Sequence, residues 1–291
     1  MSSPAAGGHE RLSGAWNFRD VAETAGLTAG RLFRSSELSN LDEAGRRELA
    51  RLGITDVTDL RSPTEVSRRG PGAVPAGVVV YNLPFPEVSH HHDRDRDTDT
   101  ENDTDADGTQ QSPAAEAPHE SSFRKMLTEF SVEDPAVAAH RWMTAEYERF
   151  PTLGGARRAV RQLVTLLADG RSVLVHCFAG KDRTGFAVAV ALEAAGVDRD
   201  AIMADYLRSN DAVGRLREGL LMSMRDHEGM TDEVLSFAES RLTDEVLGVR
   251  EDYLASARRV LEESYGGLTN YLSASEVDEE TVAQLRARLL G

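Results

Sequence analysis

Apolar positions along the chain fall into two spacings. Short runs at Arg31 to Glu37, Ile54 to Leu60, Val78 to Tyr81 and Ser172 to His176 have the length and flanks of strands. The intervals repeat apolar residues at helical spacing, over residues 40–53, 62–70, 123–130, 135–150, 153–167, 186–195, 198–210, 216–224, 231–246, 249–263 and 278–290. Boundary signals accompany them. Asn40 and Glu43 stand at capping-box spacing, and Ser62-Pro63-Thr64-Glu65 offers a cap, a first-turn proline and a third-position carboxylate. Pro135 suits a start, Gly53 and Gly170 suit ends, and Met230 and Leu235 are spaced as a staple around a Thr231 cap. Strands interleaved with helices predict an α/β domain.

One interval fits neither spacing. From Ser89 to His119 the chain has almost no apolar residue, and Asp93 to Glu120 alone holds ten acidic residues and two arginines. Such a stretch buries too little surface to order itself, so 89–119 is expected to be a disordered acidic insertion in a loop. His90, His91 and His92 belong to that solvated stretch, and no metal or other cofactor is expected. Residues 1–13 are expected to be a flexible tail, leaving 14–291 as a single domain.

Composition narrows the function. With 291 residues and 40% hydrophobic content the chain can bury a substantial core. Its formal charge of −16 argues against nucleic acid or an anionic membrane surface as a general partner, although about half of the excess lies in the insertion. No apolar run approaches a membrane span and the N-terminus lacks the pattern of a cleavable signal. A cytoplasmic location is therefore expected, with export by a route that uses no cleavable signal left open; the oligomeric state is not legible.

A lone cysteine is ordinarily a small buried hydrophobe. The surroundings of Cys177 reverse that reading. The run His176-Cys177-Phe178-Ala179-Gly180-Lys181-Asp182-Arg183-Thr184-Gly185 lies between an apolar strand and an apolar helix. Small residues let such a loop turn its N–H groups onto one point at a helix N-terminus, which suits a phosphate. Arg183 adds a planar fork of donors for two phosphate oxygens, and Cys177 lies in a field that favours the nucleophilic thiolate.

At these residues the chain resembles the cysteine-dependent protein tyrosine phosphatases, whose signature is His-Cys-x5-Arg-Thr. Within that superfamily it is most similar to bacterial tyrosine and dual-specificity phosphatases of the secreted mycobacterial type, which act on phosphotyrosine, phosphoserine/threonine and phosphoinositides. Asn17-Phe-Arg-Asp20, Arg31-Leu-Phe-Arg-Ser-Ser-Glu37 and Asp59-Leu-Arg61 extend the likeness over most of the chain. The resemblance implies the tyrosine phosphatase fold, a central mostly parallel sheet flanked by helices. It also implies a helical lid, for which 212–247 is the candidate, and supporting roles near the loop for Arg19, Asp20 and Arg34.

The implied chemistry is attack by Cys177 on phosphorus, with Arg183 and the amides of Phe178, Ala179, Gly180, Lys181, Asp182 and Arg183 holding the equatorial oxygens. Thr184 is expected to donate to the departing sulfur and His176 to orient the loop. The proton donor stays open between two residues. Relatives commonly draw it from a Trp-Pro-Asp loop, which this chain lacks. Asp182 is slightly favoured, since a carboxyl beside a phosphate dianion is favoured in its protonated form. Asp59, at a strand end, is the other candidate, against a plain reading as a structural carboxylate. Lys181 either adds a rim cation suited to phosphoinositides or is solvated. Phosphotyrosine or phosphoserine proteins and phosphoinositides are the expected partners. A sulfur transferase, an arsenate reductase and a phosphate-binding module without turnover are the other classes, disfavoured because Cys177 and Arg183 occur together and no second thiol exists.

Overall fold

The apolar runs pair into one five-stranded sheet in the order β1-β2-β5-β3-β4. The computed structural model describes residues 12–85, 134–225 and 231–291. In it β1 (Arg19–Asp20) lies antiparallel to β2 (Leu32–Ser35), while β2, β5 (Val173–His176), β3 (Asp56–Asp59) and β4 (Val79–Asn82) run parallel. Register aligns Ser35 and Asp59 on either side of His176. All three chains therefore leave the sheet at one edge, the edge at which α/β sheets bind ligands.

Alternation along the strands divides the core. Leu32, Val173 and Val175 face a cluster with α5 (Gly154–Ala168) and α6 (Asp182–Ala195), including Val160, Leu163, Val164, Val188 and Leu192. Phe33, Val57 and Leu174 face the opposite side, against Leu38, Leu41, and Leu49 of α2 (Glu43–Arg51). The first layer is completed by α4 (Pro135–Arg149), α7 (Arg199–Leu207), α11 (Glu251–Tyr265), α12 (Leu268–Ala274) and α13 (Glu279–Leu290). The α3 helix (Pro63–Arg69) and a short α1 (Ala22–Ala25) lie between strands in sequence.

Several boundaries differ from the expected ones. The cap of α2 is Asp42, whose side chain accepts from the Gly45 amide, so the helix starts after Asn40 rather than at it. Ordered structure reaches further toward the N-terminus than residue 14, because Leu12 is buried and the Ser13 hydroxyl donates to Asp42. The stretch 198–210 ends as a 3-10 turn, Arg208–Ala212. The single helix expected over 231–246 divides into α9 (Asp232–Arg241) and α10 (Asp244–Leu247), preceded by α8 (Val213–Arg225). Helices α1 and α12 are additional to the expected ones. The acidic insertion, the helix at 123–130 and the Met230 half of the staple lie outside the described residues.

Candidate active site

Phosphate loops need N–H groups aimed at one point, which requires their carbonyls to be held elsewhere. Here each carbonyl from Cys177 to Lys181 has a partner outside the cradle. His176 Nδ1 lies 3.2 Å from the Cys177 oxygen, which assigns the proton to that nitrogen, and the Glu37 amide donates to the Phe178 oxygen at 2.9 Å. Asn17 Nδ2 donates to the oxygens of both Ala179 and Gly180 at 3.0 Å, and Arg34 Nη2 donates to those of Gly180 and Lys181 at 2.8 and 3.3 Å. Among the described residues no acceptor engages the amides of Phe178, Ala179, Gly180 or Lys181. They stay available to an anion at the N-terminus of α6. Gly180 is obligatory, because its φ is +63° and a Cβ there would stand 2.0 Å from the Ser35 oxygen.

The donors to those carbonyls are themselves fixed. Asp205 on α7 accepts from Arg19 Nε at 2.8 Å and from Arg34 Nη1 at 2.6 Å, with all three side chains buried. Burial opposes the Asp205 charge, and the two arginines outweigh it and hold its carboxyl below the usual range. Arg19 Nη1 also donates to Asn17 Oδ1 at 2.6 Å, completing a brace from α7 through two arginines to the loop. Arg19 thus acts on the loop through Asn17 and Asp205. Asp20 does not reach it, accepting instead from the Ala22 and Gly30 amides of a turn.

Arg183 is aimed by Glu65, which takes both ends of its fork at 2.7 Å. Burial alone would weaken the guanidinium's hold on its proton, but Glu65, with Cys177 and Asp182 nearby, outweighs it and raises the pKa. Glu65 also closes the α3 capping box with Ser62, so one buried carboxylate starts a helix and positions the arginine. Cys177 is buried at the foot of the loop. The Thr184 hydroxyl, next to Arg183 in sequence, is buried with no hydrogen-bond partner among the described residues, a donor left for a sulfur or oxyanion. Gly185 lets α6 pack on Tyr206, whose ring a Cβ would meet at 2.9 Å.

The two carboxyl candidates have different surroundings. Asp59 is fully buried, takes Arg61 Nε and Nη2 at 2.9 and 2.7 Å, and stands 3.8 Å from His176 Nε2. Burial works to raise its pKa, yet His176 and Arg61 outweigh that and lower it. Burial lowers the pKa of the wholly enclosed His176, against the opposing pull of Asp59. Asp182 is partly exposed at the first turn of α6 and accepts from the Tyr147 hydroxyl at 3.1 Å. Lys181 is neither solvated nor at a free rim: its ammonium is buried and donates to the Leu247 oxygen of α10 at 2.5 Å. Phe178 stands between Trp16, edge-on at 6.4 Å, and the Arg69 guanidinium, 4.0 Å above its ring.

The model of the tyrosine phosphatase family matches residues 10–291. This chain belongs to that family. It is 52% identical, over 96% of its own length and 98% of the relative's, to the triple specificity protein phosphatase PtpB of Mycobacterium tuberculosis. It is also 30% identical, over 94% of its length and 85% of the relative's, to a putative tyrosine-protein phosphatase of Cupriavidus necator. A tyrosine-protein phosphatase of Nostoc commune matches at 26% over 90% and 75%. The chain is accordingly a protein tyrosine phosphatase, a phosphoric monoester hydrolase, with the α/β fold of its family.

Sequence reasoning missed Glu65, Asp205, Tyr147 and Tyr206 as parts of this site. Glu65 carried only a helix-cap signal, and the others carried none, since a charged or phenolic side chain in a helix is ordinarily surface or core. Among the described residues no group of His, Cys, Asp or Glu is arranged to hold a metal, and no helix is long and apolar enough to cross a membrane. The histidines at 90–92 are outside the described residues.

Proposed function

We propose that this phosphatase hydrolyses phosphotyrosine and phosphoserine/threonine in proteins through a cysteinyl-phosphate, with Asp182 as the general acid. The observation that carries the acid assignment is the contrast between the carboxylates. Asp59 is sealed behind Arg61 and held ionised, whereas Asp182 is partly open at the N-terminus of α6. In the first step the Cys177 thiolate attacks phosphorus in line, the phosphorus–oxygen bond breaks, and the leaving oxygen takes the Asp182 proton. Water then attacks the phosphocysteine as Asp182 accepts its proton, and the thiolate departs toward the Thr184 hydroxyl. Arg183 and the loop amides hold the equatorial oxygens in both steps.

Breadth beyond phosphotyrosine is supported by the likeness to a phosphatase named for triple specificity. Proteins are the substrate class assigned, after that likeness; a phosphoinositide preference would draw on Lys181, whose ammonium donates to the Leu247 oxygen while 212–247 is closed. Segment 212–247 is assigned as a lid, because Val213, Leu216, Val246 and Leu247 share an apolar cluster with Ala179 of the loop. A pH–rate profile of p-nitrophenyl phosphate hydrolysis tests the acid. Asp182→Asn should lose the basic limb, and Asp59→Asn should keep it while losing stability. The reverse result would move the acid to Asp59. Cys177→Ser should abolish turnover and retain phosphopeptide binding.

A further inference from the structure

Asp182 is the last member of a buried hydrogen-bond chain that starts on a different helix. Tyr206 on α7 donates to the Tyr147 oxygen on α4 at 2.7 Å, and Tyr147 donates to Asp182 Oδ1 at 3.1 Å. Both phenols are fully buried, and burial followed by the nearby Asp182 charge raises their pKa values well above the ordinary one, so both remain donors. The direction of the chain is fixed by what surrounds it. Tyr206 has no acceptor but Tyr147 among the described residues, which leaves the Tyr147 proton only Asp182. The other carboxyl oxygen, Oδ2, accepts no hydrogen bond from a described residue; the Lys181 ammonium, which donates to the Leu247 oxygen, forms an ion pair with it at 3.6 Å. The remaining groups that face this carboxyl are Arg183, held by Glu65, and Tyr253 on α11.

We propose that the Tyr206–Tyr147 pair is a positioning device for the proton donor, engaging Oδ1 so that Oδ2 carries the transferable proton toward the leaving oxygen. A carboxyl pinned at one oxygen cannot rotate the wrong one into place, and the pin comes from two helices locked in the main core rather than from a mobile loop. Cooperative polarisation along the chain strengthens the contact to the carboxyl. The same helix that supplies Tyr206 supplies Asp205, so α7 sets the loop carbonyls and the acid from adjacent residues. This inference rests on Asp182 being the acid.

The test is leaving-group dependence, which a loss of general structure does not change. Rates are measured for wild type, Asp182→Asn, Tyr147→Phe, Tyr206→Phe and Tyr271→Phe across aryl phosphates from activated to unactivated phenols. Tyr147→Phe is expected to leave the most activated ester within about twofold and to slow the least activated about tenfold, a part of the roughly 10²–10⁴-fold that acid catalysis contributes. Tyr206→Phe should steepen the dependence in the same sense and carries the test if Tyr147→Phe fails to fold. Tyr271→Phe removes a buried phenol hydroxyl of the same core that has no hydrogen-bond partner among the described residues and does not face Asp182, and should track wild type. If Asp182→Asn steepens while both Tyr147→Phe and Tyr206→Phe run parallel to wild type, the positioning role is overturned and the acid stands. If Asp182→Asn itself runs parallel, the acid assignment falls and the positioning role falls with it.

Discussion

Glu65 serves two neighbours with unequal needs. The Ser62 amide needs any acceptor, and a glutamine oxygen supplies one; the Arg183 fork needs two acceptors at fixed spacing, and only a carboxylate supplies both. Glu65→Gln should therefore keep α3 and let Arg183 turn. The expected cost is on the order of tenfold to a hundredfold in kcat/KM, less than the roughly 10²–10³ seen when an oxyanion donor is removed outright. Unfolding free energy should fall by about 1–3 kcal/mol from the lost charged hydrogen bond. Steady-state kinetics beside a denaturation curve checks both, and an unchanged kcat/KM would mean that Arg183 is aimed by the bound phosphate alone.

At the scale of elements, α7 does more for the site than its sequence indicates. Asp205→Asn leaves Arg19 and Arg34 buried with their charges uncompensated, a loss of about 3–5 kcal/mol. The sign with pH follows from the depressed Asp205 pKa. Its stabilisation is complete above the unfolded value of about 3.9 and is lost as pH falls through the lower folded value. Denaturation of wild type and Asp205→Asn should thus differ most near neutral pH and converge in acid; a constant gap would show that the carboxylate charge is not what binds the arginines. Nothing in the residues around Asp205 announces this, because partners at residues 19 and 34 meet it only through the fold. The loop itself was legible, since its chemistry sits in consecutive residues, and so was α3, whose Ser62–Glu65 box formed as spaced. The α2 cap was misread by two residues because Asn40 and Asp42 are equally good capping types, and only the Gly45 contact chooses between them. The break between α9 and α10 has no glycine or proline to mark it.

For the whole molecule, the separation of the apolar clusters decides what can move. Val213, Leu216, Leu242, Val246 and Leu247 form a cluster with Ala139 and Ala179 that shares no buried member with the cluster holding α5 and α6 to the sheet. The segment also leaves and rejoins the core at one point. Asn210 donates to the Val249 oxygen at 3.1 Å and accepts from the Val249 amide at 2.7 Å, closing the base of α8–α10. A segment whose buried contacts lie in that smaller cluster, on a pinned base, would open without exposing the main one. Besides the packing on Ala179 and Phe178 it is held to the loop by the Lys181–Leu247 bond, so opening would free an ammonium beside Asp182 as it uncovers those residues. Native-state hydrogen exchange should find the amides of α8–α10 opening at a free energy well below that of α5 and α6, with the gap narrowing when vanadate occupies the loop. Protection equal to that of α5 and α6 would make 212–247 an ordinary part of the core, and protein substrates would then have to reach Cys177 through the closed arrangement.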